Sequence, residues 1–453
     1  MKKFLCVLIF VFAFSNCVFA FDFSMRDSFS QTMLVNDKAV TFRSWLDIPY
    51  VNNPVEPDYQ KLNVYIPEEY FNGQSINGFT AETAPILMPN SVGGYFPGKQ
   101  LIPANDTQHG GANISLMGLS KGYVVITPAI RGRTLKNGKA PALIVDYKSA
   151  VRWVRHNKEN LPAGDTEKII SNGTSAGGAL SSLLGATGNA KNYDEYLNEI
   201  GAFDERDDIF ASTVYCPITN LENADMAYEW IFNGINTYHM GAAREMNENQ
   251  IKASDELKKL FPEYVDNLNF ENYSLDSNGN GTFKNFVEEL YIKAAQKALD
   301  EGKKISVDWL EIKDGKILSA DLKKYAVWAT RMKAAPAFDS LNMDSFENNE
   351  FDDKHFTKYS FEHSNAENPK LADNEKIYVM NPMNFIGKAD TAKFWRIRHG
   401  VKDRDTSMAV PAILALKLKE FGYDVDIAAV WDVPHDGNYD LNELFEWLDK
   451  ICK

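Results

Sequence analysis

Residues 171–180, with the sequence SNGTSAGGAL, place three glycines and three small hydroxyl residues between an apolar run and a helix-like pattern. Glycine is unfavourable inside a strand or a helix, so such a cluster usually marks a backbone bend that side chains would obstruct. Its core, GTSAG, is a Gly-x-Ser-x-Gly motif centred on Ser175. Alone, the motif should occur by chance in roughly one chain in ten of this length. The surrounding sequence must therefore decide what it means.

The segments on either side of the motif predict a strand and a helix. KIIS, at 168–171, is a short apolar run typical of a strand, and ALSSLLGATGN, from Ala179, can begin a helix. A sharp strand-to-helix turn that exposes a serine above a parallel sheet is a nucleophile elbow. A side chain at Gly173 or Gly177 would clash across such a turn.

Strand and helix patterns alternate on both sides of the elbow. Strands are predicted for AVTFRSW, LNVYI, residues 85–88 and 123–127, ASTVY, KFWRIRHG and VDIAAV. Helices are predicted for PALIVDYKSAVRWVRHN, MAVPAILALKLKEFG and the C-terminal DLNELFEWLDKI. This alternation predicts an α/β class with a mostly parallel, doubly wound sheet, as in the α/β-hydrolase fold.

The pattern changes between about residues 224 and 375, where helices and polar loops predominate. A hairpin, WLEIKDGKIL, is expected to turn at Asp314-Gly315, and Ser319 is predicted to cap the helix that follows. We interpret 224–375 as a large inserted, mainly helical lid. Residues 21–223 and 376–453 then form the two parts of the α/β-hydrolase core.

The first twenty residues are interpreted as a secretory signal peptide. Lys2 and Lys3 precede an apolar run at 4–14, and small residues lead to a cleavage site near Ala20. The run is too short for a stable membrane anchor, so we expect export to the periplasm or the extracellular space. The net charge of −14 argues against nucleic acid as a partner.

Cysteine usage does not indicate a disulfide scaffold. Cys6 and Cys17 would leave with the signal peptide, so that Cys216 and Cys452 remain. An exported compartment would permit a bridge between these two, and two unpaired thiols are the alternative.

A serine nucleophile needs a histidine base and an acid that orients it. In an α/β-hydrolase these follow the serine in the order acid, then histidine, on loops after late strands. His435, in WDVPHDGNYD, is the histidine that follows the last predicted strand, whereas His399 precedes the acids. The segment VKDRDTS offers Asp403 and Asp405 as acids, and spacing alone does not choose between them.

An oxyanion hole needs two backbone N–H groups. One should follow the nucleophile, at Ala176, and the other should lie in a glycine-rich loop after an early strand. MPNSVGGYFPG, at 88–98, supplies Gly93 and Gly94 for that loop.

One further segment has a pattern found in metal sites. In DSNGNGTF, Asp276, Asn278 and Asn280 are spaced as in the first half of a calcium loop. Val287 stands where the final carboxylate is expected. We therefore interpret the segment as a glycine-rich turn, with structural calcium as the alternative, and expect no required cofactor.

Several longer motifs resemble one family, the bacterial tannases, which are tannin acyl hydrolases of the α/β-hydrolase fold. The similarity extends over nearly the whole chain after the signal segment, and its motifs are VGGYFPG, RGRTLKNGKAPALIVDYKSAVRW, GTSAGGALSSLLGATGN, CPITNLENADMAYEW, MKAAPAFDSLNMDSFENNEF and RHGVKDRDTS. The resemblance implies hydrolysis of galloyl esters to gallate and an alcohol. It also implies Ser175, Asp403 and His435 as the catalytic residues, which decides between the two aspartates.

The same resemblance assigns the second aspartate to the substrate. It implies that Asp405, Lys333 in RMKAAPAFD and Glu347 in SFENNEF surround the galloyl hydroxyls. Carboxylates accept hydrogen bonds from phenols, and an ammonium donates to a phenol oxygen. The expected partner is therefore a small phenolic ester. The alternative is a broader phenolic-acid esterase of the feruloyl type, or a general carboxylesterase, with the same triad.

Overall fold

The computed structural model describes residues 21–23, 27–106 and 111–453. The predicted signal segment, 1–20, lies outside the described residues.

Nine strands form one sheet, and most of them lie parallel. In chain order they are β1 (Phe29–Val35), β2 (Lys38–Pro49), β3 (Lys61–Pro67), β4 (Pro85–Pro89), β5 (Val124–Pro128), β6 (Asp165–Thr174), β7 (Ala211–Tyr215), β8 (Phe394–Gly400) and β9 (Asp424–Val430). Their order across the sheet is β1-β2-β3-β5-β4-β6-β7-β8-β9. The pairs from β5 to β9 are parallel, and the pairs β1–β2, β2–β3 and β3–β5 are antiparallel. The predicted α/β class with a mostly parallel sheet is confirmed.

Thirteen α-helices are present in the described part of the chain. They are α1 (Ile114–Ser120), α2 (Ala142–His156), α3 (Ala176–Ala186), α4 (Asp194–Glu199), α5 (Leu221–Phe232), α6 (Glu248–Asn267), α7 (Thr282–Asp300), α8 (Leu322–Ala329), α9 (Phe346–Glu350), α10 (Lys358–Glu362), α11 (Asn374–Val379), α12 (Ala409–Glu420) and α13 (Leu441–Cys452). Short 3-10 helices occur at Glu68–Asn72, Lys191–Tyr193 and Pro382–Asn384.

The central strands of the sheet are continuous runs of buried, mostly apolar residues. Every residue of β4, β5 and β7 is buried, as expected for strands covered on both faces by helices. The first strand, β1, was not predicted. It is an edge strand that is mostly exposed, and therefore its sequence, FSQTMLV, shows little of the apolar pattern that burial imposes.

The segment between β7 and β8 contributes no strand to the nine-stranded sheet. It contains α5 to α11 and two hairpins, Thr237–Met240 with Ala242–Glu245 and Leu310–Lys313 with Lys316–Ala320. The second hairpin turns at Asp314-Gly315, where both residues have positive φ, as its sequence predicts. The boundaries at 224 and 375 fall within or beside helices α5 and α11, so those limits stay predictions.

The predicted cap of α8 is wrong by two residues. Ser319 belongs to the strand Lys316–Ala320, and its hydroxyl donates to Glu311. Asp321 caps the helix instead, because its carboxylate accepts from the N–H groups of Lys323 and Lys324 at 2.9 and 3.1 Å. A carboxylate is also favourable at the positive end of the helix.

Among the described helices, none has the length and apolarity that crossing a bilayer would require. Cys216 and Cys452 are both buried and unpaired, so the alternative with two free thiols applies.

Candidate active site

Ser175 occupies a strained backbone conformation at the end of β6. Its φ of 61° and ψ of −124° lie where a side chain is rarely accommodated, and such strain is typical of functional sites. Neighbouring segments hold this conformation. The Ser175 N–H donates to the carbonyl of Tyr215 at 3.0 Å, and its carbonyl accepts from the N–H groups of Ala179 and Ile218. Because α3 begins at the next residue, the serine lies between strand and helix, as a nucleophile elbow requires.

The glycines around Ser175 allow backbone segments to approach one another. A Cβ on Gly173 would lie 2.1 Å from the carbonyl oxygen of Gly177, and one on Gly177 would lie 2.6 Å from Asn90 and from Val92. Real Cβ atoms do not occur at such distances. The crowding that the motif predicts is therefore present, and it extends to the loop after β4.

Asp403 and His435 meet above the carboxyl ends of β8 and β9. His435 Nδ1 lies 2.8 Å from Asp403 Oδ2, and the Asp403 side chain is completely buried. The other carboxylate oxygen accepts from the N–H of Asp405 at 2.9 Å. With Nδ1–H donating to the carboxylate, Nε2 carries the lone pair, and it has no hydrogen-bond partner among the described residues.

The loop that carries His435 packs against the elbow through Gly437. A Cβ on Gly437 would come within 1.8 Å of the hydroxyl oxygen of Thr174, the residue before the serine. The segments bearing Ser175, Asp403 and His435 thus converge at the carboxyl edge of the sheet, which is where ligands bind in open α/β sheets.

Charge interactions among Asp403, His399 and His435 keep the carboxyl group of Asp403 ionised. Burial opposes ionisation of Asp403, but the neighbouring His399 and His435 and the hydrogen bonds lower its pKa to about 2. Burial likewise opposes protonation of His435, whereas the Asp403 carboxylate raises the pKa of that imidazole. An ionised acid beside the imidazole stabilises the imidazolium that forms when the base takes a proton.

Two residues beside Asp403 and His435 were not predicted as part of the site. His399 lies with Nδ1 3.6 Å from Asp403 Oδ2, and its ring nitrogens have no hydrogen-bond partner in the described chain. Burial lowers the pKa of His399. Cys216, which follows β7, places its thiol 3.3 Å from the carbonyl of Asp436, beside His435. The sequence signal that could have placed Cys216 at the site is its position directly after a buried strand, because residues that follow parallel strands lie at the same edge of the sheet.

The predicted oxyanion residues flank the elbow. Ala176 opens α3, where first-turn N–H groups lack an acceptor within the helix. Gly93 and Gly94 follow β4, in a loop that is held against the elbow from both ends. Asn90 Nδ2 donates to the carbonyl of Gly177 at 3.0 Å, and the Tyr95 hydroxyl donates to the carbonyl of Ile218 at 2.6 Å.

Asp405, Lys333 and Glu347 lie together, although they come from separate segments. Lys333 Nζ is 2.7 Å from Asp405 Oδ1, and both side chains are largely buried. Burial would lower the pKa of Lys333, but the carboxylates of Asp405 and Glu347 raise it above the usual range. Burial raises the pKa of Glu347, which the ammonium of Lys333 partly opposes. The group therefore combines the ammonium of Lys333 with the carboxyl groups of Asp405 and Glu347.

Tyr228 on α5 connects this group to the acid loop, and the sequence did not single it out. Its hydroxyl donates to the carbonyl of Arg404 at 2.8 Å and accepts from the N–H of Met332 at 3.0 Å. Arg404 in turn donates to the Thr330 hydroxyl at 2.6 Å. The backbone that carries Lys333 is thereby positioned relative to Asp405.

The DSNGNGTF segment is a closed turn. Asp276 Oδ1 accepts from the N–H groups of Asn278 and Asn280, both at 2.9 Å, so this oxygen already has two partners. Val287 is fully buried in α7. Elsewhere in the described residues, one cluster has side chains spaced for a metal ion, and its members are Cys216, Asp403 and His435. The Asp403–His435 hydrogen bond already engages two of those three.

Comparison with known proteins gives closely similar structures over almost the whole chain. A tannase from Fusobacterium nucleatum is 46% identical, with a TM-score of 0.92, and the match covers 95% of this chain and 99% of that one. A tannase from Lactobacillus plantarum is 40% identical, with a TM-score of 0.90 and coverage of 96% and 100%. A tannin acyl hydrolase in complex with ethyl gallate is 41% identical, with a TM-score of 0.89 and coverage of 96% and 99%.

Two further comparisons complete these findings. The family described as BD-FAE matches residues 93–267, which include Gly93, Gly94 and the elbow. Comparison with curated protein sequences gives no match.

Proposed function

This chain belongs to the bacterial tannases and is a serine carboxylic-ester hydrolase, and we propose that it hydrolyses galloyl esters through an acyl-enzyme on Ser175. The observation that carries the assignment of residues is the hydrogen bond of 2.8 Å between His435 Nδ1 and Asp403 Oδ2, on a loop that packs against the strained elbow. The family predicted from the sequence motifs is confirmed.

In the first half of the reaction, the Ser175 hydroxyl oxygen attacks the ester carbonyl carbon, and its proton passes to His435 Nε2. The carbonyl oxygen becomes an oxyanion, which the N–H groups of Ala176 and Gly94 stabilise. When the tetrahedral intermediate collapses, the alcohol leaves with the proton held by His435. Galloyl-Ser175 remains.

In the second half, a water molecule replaces the alcohol. His435 takes a proton from the water, whose oxygen attacks the galloyl carbonyl carbon. Collapse of the second intermediate releases gallate and returns the proton to Ser175. Asp403 remains ionised throughout and keeps the imidazole in the tautomer that exposes Nε2.

The group of Asp405, Lys333 and Glu347 supports gallate as the acyl part. A galloyl ring presents three adjacent hydroxyls in one plane, which can donate to two carboxylates and accept from an ammonium. One of the relatives is seen in complex with ethyl gallate. A buried carboxylate that loses its phenol donor costs more than the lost packing alone, so this arrangement should discriminate between phenolic acids.

The alternative is a broader phenolic-acid esterase with the same triad, and a pair of esters separates the two. We expect methyl gallate to be hydrolysed with a kcat/KM at least tenfold above that of methyl ferulate, whose ring has one hydroxyl and one methoxy group in place of three hydroxyls and is separated from the ester by a vinyl linker. Equal values would contradict the gallate assignment. Labelling by a serine-directed phosphonate should modify Ser175, and an unlabelled Ser175 would contradict the proposed nucleophile.

We further propose that the protein is exported after cleavage near Ala20 and acts without a cofactor. The two lysines, the short apolar run and the small residues before Ala20 support export. Mass spectrometry of the N-terminus from the exported fraction tests the cleavage, and an intact Met1 there would contradict it. Retention of activity in excess EDTA and EGTA tests independence from calcium.

A further inference from the structure

His399 is a buried histidine near the end of β8 whose ring nitrogens are unused by the surrounding protein. Its side chain is almost completely enclosed, and neither Nδ1 nor Nε2 has a hydrogen-bond partner among the described residues. Nearly all buried polar atoms in folded proteins are hydrogen-bonded, so an exception beside a catalytic carboxylate indicates a role beyond packing. Neither half of the proposed reaction uses this side chain.

The backbone fixes His399 relative to both the acid and the base. Gly400, the next residue, accepts at its carbonyl from the N–H of Asp403 at 3.0 Å, which closes a tight turn. A Cβ on Gly400 would lie 2.2 Å from the carbonyl oxygen of Val433, so the loop that carries His435 packs directly on the end of β8. His399 therefore belongs to the segment on which the acid turn and the histidine loop are both anchored.

One oxygen of Asp403 faces two imidazoles. His435 Nδ1 lies 2.8 Å from Asp403 Oδ2, and His399 Nδ1 lies 3.6 Å from the same oxygen. Burial lowers the pKa of His399, so this ring is neutral and carries one proton. A lone pair on Nδ1 would repel the carboxylate, whereas a proton on Nδ1 is attracted to it, and both effects are strong in a buried site. The tautomer of His399 with Nδ1–H is therefore favoured.

Other titratable groups around the pair of Asp403 and His435 are Cys216 after β7, Tyr291 on α7, Tyr325 on α8, and Asp405 and Asp436 on the two loops that carry the pair.

The thiol and the two phenols stay neutral while His435 titrates. Burial raises the pKa of Cys216 to about 11 and raises those of Tyr291 and Tyr325 above their usual range. The two carboxylates already have partners, because Asp405 pairs with Lys333 and Asp436 accepts from its neighbouring N–H. This leaves His399 as the neighbour whose ring donor is unused.

We propose that His399 is a positioning residue whose Nδ1–H stabilises the ionised carboxylate of Asp403 and thereby lowers the pH at which His435 becomes a neutral base. The inference rests on the proposed function and deepens it, because it identifies what adjusts the base. While His435 is protonated, its charge compensates the carboxylate of Asp403. Once His435 loses that proton, the buried carboxylate has no cation beside it, and the N–H of His399 then stabilises it most. His399 thus favours the state that can deprotonate Ser175.

Two substitutions at His399 separate the donor from the packing of the ring. His399→Phe keeps a flat ring and removes the donor, whereas His399→Asn keeps an N–H close to the position of Nδ1. We expect the acidic limb of kcat/KM for a butyrate ester to move to higher pH by roughly half to one unit in His399→Phe and to stay near the wild type in His399→Asn. A butyrate ester is used because titration of Glu347 should not affect its hydrolysis.

His156→Phe is the matched control. Nε2 of His156 is also buried without a partner, and its ring stacks on Phe203 away from the triad. The control should keep the wild-type limb. A limb that does not move in His399→Phe, or that moves equally in His399→Asn, would overturn the inference, since loss of packing alone would then explain the variants.

Nitrogen NMR of the histidine-labelled protein provides a second measurement that does not depend on turnover. The signals of His399 are assigned by their absence from the spectrum of His399→Phe. We expect a proton on Nδ1 and a lone pair on Nε2, and a lone pair on Nδ1 would overturn the inference while methyl gallate is still hydrolysed. A wild-type protein whose Ser175 is not labelled by a phosphonate would instead overturn the proposed function.

Discussion

Gly437 packs so closely against Thr174 that any side chain at Gly437 would overlap the threonine. A Cβ would lie 1.8 Å from the Thr174 hydroxyl oxygen and 2.9 Å from both its Cβ and its Cγ2. Rotation of the Thr174 side chain would move the hydroxyl but not Cβ, which would still lie 2.9 Å from the new methyl group, closer than real Cβ atoms approach. The contact joins Thr174, the last residue of β6 and the neighbour of Ser175, to the loop that carries His435, two residues before Gly437.

Gly437→Ala is therefore expected to displace His435 from the elbow and to lower kcat on methyl gallate at least tenfold. A shift of about 1 Å in a catalytic group can cost 10²-fold in rate. Steady-state kinetics, with circular dichroism to verify folding, measure the effect. Gly111→Ala, where a Cβ would meet nothing within 4 Å, is the control. Unchanged kcat in Gly437→Ala would show that the loop position does not matter.

Asp403→Asn is expected to lower kcat roughly 10⁴-fold, because the amide no longer fixes the imidazole tautomer. The Asp403 carboxylate raises the pKa of His435, and catalysis needs the neutral imidazole. Removing the carboxylate should therefore move the acidic limb of the residual kcat/KM profile to lower pH. Asp37→Asn, at an exposed turn between β1 and β2, serves as the control. An acidic limb that stays in place would contradict the pairing.

Lys333→Ala is expected to lower kcat/KM for methyl gallate by roughly 10- to 100-fold, since hydrogen bonds that involve a charged group contribute about 1.5–3 kcal/mol. A short butyrate ester has no phenolic hydroxyls, so its hydrolysis should change much less. Lys323→Ala, at an exposed position on α8, controls for the loss of a lysine. Equal losses on both esters would mean that Lys333 supports the fold of the site rather than the galloyl ring.

The buried position of Glu347 leads us to expect that substrate preference depends on pH. Burial raises the pKa of Glu347 above its ordinary value, so this carboxylate becomes protonated at a higher pH than a solvated glutamate. The protonated form accepts poorly from a phenol. The ratio of kcat/KM for methyl gallate to that for a butyrate ester should thus fall as the pH is lowered towards 5. Titration of His435 affects the hydrolysis of both esters equally, so its effect cancels in this ratio.

Glu347→Gln provides the test of that assignment, because an amide does not titrate. We expect the ratio to be lower than in the wild type at pH 7 and flat across the acidic range. A ratio in the variant that still falls with decreasing pH would assign the titration to another group.

Tyr228→Phe is expected to weaken galloyl recognition although Tyr228 belongs to neither predicted group. Its hydroxyl joins Met332 and Arg404, and its loss leaves a buried N–H and carbonyl without this partner. KM for methyl gallate should rise several-fold and the thermal midpoint should fall. If only the midpoint changed, Tyr228 would stabilise the fold without positioning Lys333.

The sequence by itself determined the elements that depend on local pattern. The elbow follows from GTSAG, since only glycines permit the backbone approach around Ser175, and the buried strands follow from continuous apolar runs. The motifs also identified the family. The edge strand β1 was not predicted, because an exposed edge strand has few buried positions and therefore little apolar alternation. The cap at Asp321 was not predicted, because Ser319 and Asp321 are both suitable N-cap residues and the sequence does not choose between them.

Only the tertiary structure decided which distant side chains meet. Spacing could not choose between Asp403 and Asp405, but in the folded chain one accepts from His435 and the other binds Lys333. His399 and Cys216 acquire their neighbours in the same way. The physical reason is that burial and backbone sterics constrain residues that are close in the sequence, so their effects can be recognised from local sequence patterns. Contacts across the carboxyl edge of the sheet depend instead on how several loops pack together.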